Sequence, residues 1–483
     1  MIQKKKHITL VYVCPFRTWN LYPPLGLGFL AACLRAKEHP VTIVDTTFQS
    51  IDRVFASLVE NSSAIVGFEI LQSNYAQSLV LAEKIKTRFP FLPVLFGGPF
   101  PTAMPEAILQ PDVVDLVHSG EGEEAIVEIM EHLEEGRALS DIEGLSYKEN
   151  GKLVVKPPRE PGRDLDAIPP AAYDLLQMES YLKIPLDIPM SNPGATLSVT
   201  RGCYGNCNYC QPISRKLFGR GIRRCSPARV VDEIQWLLKT YRLRSIYFAD
   251  DEPLWKAEAW WEEIIALLKK RNVKFDLMLN SRVDTVREDL LRSLKSVGLK
   301  YLAFGVESAS DEILKKMRKG YTANKIIPAF ELCRKLGIVS RANIMVGSPG
   351  ETWETINMTF KMLSIARPDV VSISVTSPIP GTDLFESMKD VFGSQSIGSD
   401  IFDRKHYIPI AENFTESDIK LATRKIFKLF MKMTFTDLSC RPWRKLPLIK
   451  MMAARELSLA RINPLLPLRD IAFHLGYMER TFV

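Results

Sequence analysis

Short apolar runs alternate with helical patterns along most of this chain, and this alternation limits the folds open to it. Between residues 7 and 145, five candidate strands, from "HITLVYVC" to "VDLVHSG", are separated by segments with a 3.6-residue apolar period. Strands that alternate with helices form parallel sheets covered by helices. The sequence therefore predicts a doubly wound, Rossmann- or flavodoxin-like α/β domain over residues 1–145. Ligands of such sheets bind at the carboxyl ends of the strands.

The alternation is interrupted once, over residues 146–195. The stretch "YKENGKLVVKPP" predicts a hairpin, and the proline-rich "EPGRDLDAIPPAAYDLL" is typical of a linker. Six further strand–helix units follow within residues 196–400 and predict a partial (β/α)6 barrel, with its site at the carboxyl ends of its strands. Residues 401–483 have a helical pattern and are basic, so we expect a helical C-terminal region.

Composition indicates a water-soluble protein. Hydrophobic residues make up 46% of the chain and charged residues 25%, as in globular domains. The apolar run near the N-terminus, "ITLVYV", is too short for a signal peptide, and we expect a cytoplasmic protein without a membrane span. Eight cysteines are too few for a disulfide scaffold in a chain of this length.

Three of those cysteines are crowded together in "TRGCYGNCNYCQ", at Cys203, Cys207 and Cys210. A zinc site or a closed four-cysteine cluster for electron transfer would need Cys225 as a fourth ligand, and three buried structural cysteines are a third alternative. The remaining interpretation is a [4Fe–4S] cluster with three cysteine ligands and one open iron. An open iron can bind a cofactor or substrate directly, which is a physical reason for three ligands.

The spacing C-x₃-C-x₂-C, an aromatic residue before the third cysteine, and a position after the first barrel strand together resemble the radical S-adenosylmethionine (SAM) superfamily. The resemblance implies that the open iron binds the amino and carboxylate groups of SAM, and that an electron from the cluster yields a 5′-deoxyadenosyl radical. It also implies a set of SAM-binding residues at the barrel strand ends: Tyr209, Asp250, Asp251, Glu252, Ser281, Arg282, Glu307 and Gly347.

Each of these residues has an expected partner on SAM. The three acids of "FADDEP" suit the ammonium group, although at least one of them is expected to cap a helix instead. Ser281 and Arg282 are expected near the carboxylate or ribose, Glu307 near the ribose or adenine, and Gly347 in "VGSPGE" along the adenine.

The strings "YPPLGLGFLAACLRA", "GGPFPTAMPE" and "HSGEGEEAI" in the first domain resemble the cobalamin-binding class of radical SAM enzymes. The resemblance implies that the corrin lies between the two domains. It also implies a set of cobalamin contacts: Tyr22, Gly26, Gly97, Gly98, Pro99, Gly120, Glu121, Gly122 and Glu123. The Asp-x-His-x-x-Gly motif that supplies a cobalt ligand elsewhere is absent, and His118 is interpreted as a packing residue.

This resemblance implies a cobalamin-dependent radical SAM methyltransferase that methylates an unactivated carbon through the 5′-deoxyadenosyl radical and methylcobalamin. The cofactors would carry the radical chemistry, so no catalytic side chain is predicted. The alternatives are a non-methylating enzyme of the class, such as an anaerobic cyclase or ring-contracting enzyme, and a non-catalytic iron–sulfur or cobalamin carrier. The expected partners are a small-molecule substrate (a lipid, a tetrapyrrole or a natural-product intermediate) and an electron donor such as flavodoxin or ferredoxin.

The last eighty residues leave two interpretations open. From residue 404 onward there are 15 Lys or Arg against 7 Asp or Glu, interspersed with Met and Phe as in "FKLFMKMTF". The segment predicts either a helical cap on the barrel or a lid over a large substrate, with peripheral membrane contact. The terminal "LRDIAFHLGYMERTFV" resembles the opening of a helix-turn-helix without its recognition helix, so no nucleic acid is expected as a partner.

Overall fold

Two sheets built mainly of parallel strands organise the chain. The structure, a computed structural model, describes residues 5–14, 22–184, 190–389, 410–412 and 414–440. The first sheet has seven strands in the order β2-β1-β3-β4-β5-β6-β7. These strands are β1 (Ile8–Tyr12), β2 (Val41–Asp45), β3 (Ile65–Glu69), β4 (Val94–Gly97), β5 (Leu116–His118), β6 (Leu145–Glu149) and β7 (Lys152–Val154).

Helices cover both faces of this sheet because its strands are apolar on both sides. Side chains alternate along a strand, so Leu10 of β1 faces one apolar cluster and Val11 faces another. The helices of this part are α1 (Leu25–Ala36), α2 (Ile51–Glu60), α3 (Tyr75–Arg88), α4 (Pro99–Ala103), α5 (Pro105–Leu109), α6 (Glu123–Glu135) and α7 (Met178–Tyr181). Helices α1 and α6 pack on the first face, and α2 and α3 on the second, which confirms the doubly wound fold.

The predicted hairpin turns where the sequence placed it, at Asn150 and Gly151. Both have positive φ, 50° and 75°, as a tight hairpin turn requires. Its strands β6 and β7 pair with each other, and β6 pairs antiparallel with β5. The hairpin thus extends the first sheet, whereas the sequence assigned it to the linker, because strand pairing across the chain leaves no local signal. The domain limits themselves stay predictions.

The second sheet has six parallel strands in the order β15-β14-β13-β12-β11-β8, so β8 and β15 are its edges. This arrangement confirms the open, partial barrel. Its strands and a short antiparallel pair beside it are β8 (Gly194–Leu197), β9 (Thr200–Arg201), β10 (Arg223–Arg224), β11 (Ser245–Phe248), β12 (Asp276–Ser281), β13 (Leu299–Glu307), β14 (Val339–Val346) and β15 (Val370–Val375).

Helices separate these strands along the chain. They are α8 (Ile213–Phe218), α9 (Pro227–Thr240), α10 (Glu258–Lys270), α11 (Glu288–Lys295), α12 (Asp311–Lys316), α13 (Ile326–Leu336), α14 (Trp353–Ala366) and α15 (Asp383–Glu386). One apolar cluster contains residues of both sheets, including Leu10 of β1 and Leu197 of β8. Tyr173 lies between them, and its hydroxyl donates to the carbonyl of Thr196 at 3.0 Å. The linker therefore packs the two halves together.

In the C-terminal region the structure describes a long helix, α16 (Glu416–Cys440). Ile419, Ala422 and Ile426 on one face of α16 are buried, and the indole N–H of Trp353 donates to Asp418 at 2.9 Å. This part of the region is a helical cap on the barrel. The resemblance to a helix-turn-helix lies outside the described residues. None of the helices in the described part of the chain has the length and apolar character needed to cross a bilayer.

Candidate functional site

The three predicted cluster cysteines lie on the loop that follows β9. The backbone N–H groups of Cys210 and Gln211 both donate to the carbonyl of Cys207, at 3.2 and 2.8 Å, and this turn brings the last two cysteines together. Gly205 lies between the first two. A Cβ added there would be 3.4 Å from Cys203 Sγ and 3.8 Å from Cys207 Sγ. The absence of a side chain at Gly205 therefore keeps the space beside these two thiols open.

The thiols of this loop are unfavourable as isolated anions. Burial raises the pKa of Cys203 to about 11 and that of Cys210 to about 12, and the charge of Asp251 adds to both shifts. Thiolates in such surroundings become stable when a cationic metal centre neutralises them. The donor set therefore fits an iron–sulfur cluster.

Cys225, the candidate fourth ligand, lies apart from this loop. In the pairing of β9 with β10, Arg224 lies opposite Thr200, and the N–H of Cys225 donates to the carbonyl of Val199 at 2.9 Å. The ladder therefore runs away from the loop at this end. The side chain of Cys225 is buried in the apolar core. The zinc and four-cysteine alternatives would need this thiol beside the other three.

Backbone hydrogen bonds fix the cysteine loop to two distant segments. The N–H of Asn208 donates to the carbonyl of Met317 at 3.1 Å, and its side-chain amide donates to the carbonyl of Lys316 at 3.0 Å. On the other side, the N–H of Leu384 donates to the carbonyl of Asn208 at 2.9 Å, and that of Asp383 to the carbonyl of Gln211 at 2.9 Å. The loop is therefore held by two segments of the barrel domain that are distant from it in sequence.

Tyr209 and Glu307, two predicted SAM contacts, are joined by a lysine. The ammonium of Lys319 lies 2.8 Å from Glu307 Oε1 and donates to the hydroxyl of Tyr209 at 3.1 Å. Burial alone would lower the pKa of Lys319, but the Glu307 charge raises it well above its usual value. Glu307 also has a positive φ of 65°, an unusual conformation for this residue. The triad ties the cysteine loop to the end of β13.

The three acids predicted to meet the SAM ammonium differ in what they already bind. Asp250 accepts hydrogen bonds from the N–H groups of Val199 and Thr200, at 3.1 and 2.8 Å, so it holds the end of β8. Asp251 makes no hydrogen bond or ion pair with any residue that the structure describes, and it lines the cavity described below. Of the first two acids, Asp251 is therefore the one whose carboxylate is available to a ligand.

Glu252, Ser281 and Arg282 form a network of their own. Glu252 accepts from the N–H of Arg282 at 2.8 Å and from the hydroxyl of Ser281 at 3.2 Å, and burial raises its pKa to about 7. The guanidinium of Arg282 binds Asp284 at 2.9 Å and lies 5.0 Å above the ring of Tyr204. These side chains join the ends of β11 and β12. They therefore have a structural role in addition to the predicted role in SAM binding.

Gly347, predicted to line the adenine, follows β14 and lies under the C-terminal helix. It has a positive φ of 86°, and an added Cβ would be 2.9 Å from Ile419 Cδ1 of α16. Its N–H donates to Glu351. The structure thus places Gly347 against the helical cap, and its predicted contact with SAM stays a prediction.

A cavity of about 370 Å³ lies between the carboxyl ends of the two sheets. Glu69, Gly97 and His118 mark the ends of three strands on the first-sheet side, and Ser198 and Asp251 lie on the barrel side. Eight of the nine predicted cobalamin contacts line this cavity: Gly26, Gly97, Gly98, Pro99, Gly120, Glu121, Gly122 and Glu123. Tyr22 does not line it, because its ring packs 5.6 Å from that of Tyr247.

Two acids of the cavity wall are bound by arginines from the barrel. Arg201 lies 2.9 Å from Glu121 and also pairs with Glu123, and Arg223 binds the same Glu121 at 3.2 Å. The side chain of Arg201 is about one-tenth exposed and lies 5.3 Å above the ring of Phe29. The predicted cobalamin acids therefore tie the first sheet to the barrel across the mouth of the cavity.

Two glycines of the cavity wall serve different purposes. A Cβ added at Gly97 would meet no atom within 4 Å, so this position opens directly onto the cavity. Gly120 has a φ of 101°, and its Cβ would lie 2.8 Å from the backbone oxygen of Arg159. Gly120 is therefore needed for a close approach of two backbone segments, and Gly97 leaves room for a ligand.

Three charged side chains of the site were not predicted from the sequence: Arg201, Lys319 and Glu69. Arg201 immediately precedes the cysteine loop at a strand end, which is a signal that could have been used. Glu69 is likewise a charged residue at a strand end, and it interrupts the apolar run "AIVGFEI". Lys319 belongs to "KKMRKG", where nothing in the sequence distinguishes it from its basic neighbours.

Two family models match the chain. The Radical SAM superfamily matches residues 197–363, and the B12 binding domain matches residues 19–130. A protein of Pyrococcus horikoshii named as an uncharacterized methyltransferase is 34% identical over 373 residues, which cover 75% of this chain and 78% of that protein. The chain belongs to the cobalamin-binding radical SAM family.

Other relatives of this family differ in their named activity. The anaerobic magnesium-protoporphyrin IX monomethyl ester cyclase of Rubrivivax gelatinosus is 29% identical over 379 residues, covering 76% of this chain and 67% of the cyclase. A structure of the cobalamin-dependent SAM radical enzyme OxsB, with aqua-cobalamin and SAM bound, matches this chain with a TM-score of 0.76 at 18% identity. The match covers 100% of this chain and 77% of the OxsB chain. At that identity the comparison shows a shared fold.

This member of the family is an enzyme, and its cofactors are a [4Fe–4S] cluster, SAM and cobalamin. The residues present fit these groups. Gly205 leaves space beside two thiols of the cysteine loop, and Gly97 opens onto a cavity at the strand ends of both sheets.

Proposed function

We propose that this enzyme transfers a methyl group from SAM to an unactivated carbon of a small-molecule substrate. The observation that carries the proposal is the cavity itself. Strand ends of both sheets line one cavity, and Asp251, the acid assigned here to SAM, lies on its wall together with eight of the predicted cobalamin contacts. A methyl group could therefore pass between the two cofactors at this cavity. The relative named as a methyltransferase, at 34% identity, supports this type of reaction.

In this proposal Cys203, Cys207 and Cys210 ligate the cluster, and the glycine-rich strand ends of the first sheet contact cobalamin. Asp251 binds the ammonium group of SAM, because its carboxylate has no partner in the described part of the chain and a cation beside a carboxylate is favourable. The bound cofactors supply a carbon-centred radical and a cobalt centre that relays the methyl group. The ion pair of Glu307 and Lys319, through the hydrogen bond of Lys319 to Tyr209, fixes the position of the cysteine loop relative to β13.

The protein's further contribution is the exclusion of water from the chamber. Leu217 and Phe218 of α8 and Leu30 of α1 line the cavity with apolar surface. A dry wall protects a reactive radical from side reactions. The electron that starts the reaction would come from a donor such as flavodoxin or ferredoxin. Ring chemistry is the second candidate, since the cyclase relative is 29% identical.

Methyl transfer can be tested before the substrate is identified. The cofactor-loaded enzyme, kept without oxygen, is mixed with a chemical reductant and with SAM that carries a deuterated methyl group. Without substrate the labelled methyl group would remain on cobalamin and leave S-adenosylhomocysteine behind, so we expect about one equivalent of S-adenosylhomocysteine per bound cobalamin and a deuterated methyl group on the cobalamin, both measured by mass spectrometry.

The control is the same preparation loaded with the cluster but without cobalamin, in which no S-adenosylhomocysteine should form. If the cobalamin-loaded enzyme yields 5′-deoxyadenosine and methionine with no S-adenosylhomocysteine, the methyltransferase proposal is wrong. Ring chemistry would then be the better explanation.

Gly97→Val tests the assignment of the cavity to cobalamin. Valine suits a strand, and a Cβ at this position meets no atom within 4 Å, so we expect little change in the melting temperature, whereas the branched side chain would occupy part of the cavity. Crowding of this kind costs about 1–3 kcal/mol, so we expect the Kd for hydroxocobalamin to rise by roughly tenfold to a hundredfold, measured by absorbance titration.

The matched variant Gly97→Ala adds only one carbon and should give a smaller rise in Kd. Iron content should be the same in both variants and in the wild type. A folded Gly97→Val protein that binds hydroxocobalamin with the wild-type Kd would show that the cofactor lies elsewhere.

A further inference from the structure

The last residue of β3 is an acid, Glu69, whose carboxyl group has no hydrogen-bond or ion-pair partner in the described part of the chain. The first four residues of β3, Ile65–Phe68, are apolar or glycine and are buried. Glu69 follows them, and its side chain lines the cavity. Its Oε2 atom is buried and has no hydrogen-bond partner among the residues that the structure describes. Burial, followed by the charge of Asp45, raises its pKa to about 7. A buried polar group without a partner is costly, so this position needs an explanation.

The other acids that line the cavity on the side of the first sheet have partners that account for their burial. Glu121 and Glu123 are paired with arginines from the barrel. On the barrel side, Asp250 holds two backbone N–H groups. Glu69 differs from all three because neither a cation nor a backbone N–H group meets its carboxyl group in the described structure.

Glu69 lies at the mouth of an apolar slot. Gly67, two residues earlier and on the same face of β3, lines the same cavity, as do Leu10 and Leu95 on the neighbouring strands. Ile126 of α6 covers them from the helix side. An added Cβ at Gly26, in the first turn of α1, would lie 3.0 Å from Glu69 Oε1. The carboxyl group therefore borders the way into the slot.

We propose that the carboxyl group of Glu69 binds cobalamin through a pair of hydrogen bonds to an amide group of the cofactor. A carboxyl group that keeps its proton has one donor and one acceptor side by side, and an amide offers the complementary pair. The terminal torsion of a glutamate side chain is soft, so the buried oxygen can turn toward a ligand. Amide groups occur at the edge of the corrin ring and in the nucleotide loop.

The test measures binding of two probes, hydroxocobalamin and cobinamide, which lacks the nucleotide. Both are titrated by absorbance into the full-length, cluster-containing protein. Loss of two hydrogen bonds in Glu69→Ala should raise the Kd for hydroxocobalamin about tenfold. Glu69→Gln keeps a donor and an acceptor and should stay within about threefold of the wild type. Cobinamide keeps the amide groups of the cofactor and lacks the phosphate, ribose and base, so its Kd should rise equally in Glu69→Ala. A rise for hydroxocobalamin alone would place the contact on the nucleotide and contradict an amide partner.

Glu233 provides the matched control. It is a buried acid of α9 whose Oε1 also lacks a partner in the described structure, burial raises its pKa to about 7, and it does not line the cavity. Glu233→Ala and Glu233→Gln should leave both Kd values unchanged. A folded Glu69→Ala protein with wild-type Kd values, or a Glu69→Gln protein as weak as Glu69→Ala, overturns the inference.

The inference rests on the cobalamin site and not on methyl transfer, so the two can fail separately. If S-adenosylhomocysteine is not formed but Glu69→Ala binds cobalamin weakly, only the proposed reaction is wrong. If the wild-type protein binds neither probe, the role of Glu69 is overturned together with the cobalamin site.

Discussion

Replacing Cys203, Cys207 or Cys210 by alanine should reduce the iron content of protein purified without oxygen from about four atoms per chain to less than one. Each of these thiols is one of three on a loop whose turn and whose Gly205 gap leave space for a cluster. A cluster held by only two cysteines would be lost. Iron content and the visible absorbance of the cluster measure the effect, and production of 5′-deoxyadenosine should cease with it.

Cys225→Ala is the matched control for these variants. The Cys225 thiol is buried in the apolar core, opposite Val199 and apart from the loop, so its removal should leave four irons in place. Addition of SAM should then still change the EPR spectrum of the reduced cluster, because one iron remains open. Loss of iron in Cys225→Ala would instead indicate a four-cysteine cluster.

Arg201→Met should lower the free energy of unfolding of the apo-protein by about 3–5 kcal/mol, the range for breaking one side of a buried ion pair. Arg201 is the cation that joins Glu121 and Glu123 of the first sheet to the barrel. Without it Glu123 keeps no cation, since Arg223 binds only Glu121 in the described structure. Denaturant titration measures the loss, and the cavity between the sheets should open, with weaker cobalamin binding.

The control for this variant is Arg271→Met. Arg271 pairs with Asp232 on the helical surface, where the two side chains are 32% and 64% exposed to solvent, and surface pairs contribute about 0–1 kcal/mol. Adding Glu123→Gln to Arg201→Met should recover part of the stability by removing the unpaired charge. If Arg201→Met is as mild as Arg271→Met, the two sheets are not held together by this network.

Local patterns in the sequence were sufficient to predict the fold, the cysteine loop and the glycine-rich wall of the cavity. The periodicity of apolar residues predicted both sheets, and the spacing of Cys203, Cys207 and Cys210 predicted a loop with three thiols. Glycine motifs at strand ends predicted a cavity wall, because the carboxyl ends of parallel strands meet at one edge. These features depend on residues close together in sequence.

The ion-pair and hydrogen-bond partners of charged residues could not be predicted from local sequence patterns. Lys319 binds Glu307 and Tyr209, which are 12 and 110 positions away, and Arg201 binds acids about 80 positions away. Among many Lys, Arg, Asp and Glu residues, only the packed fold selects the pairs. The same holds for Tyr22, which meets Tyr247 instead of the cavity, and for the hairpin that extends the first sheet.

The hydrogen bonds that anchor the cysteine loop have a consequence for how the enzyme is made in the cell. Asn208 is bound on one side to residues 316 and 317 and on the other to Leu384. Because a ribosome releases the chain from its N-terminus onward, this loop lacks its supports until residue 384 has emerged. The first domain is complete long before that point. Assembly factors that deliver iron and sulfur therefore meet a finished loop only after all six strands of the second sheet have been synthesised.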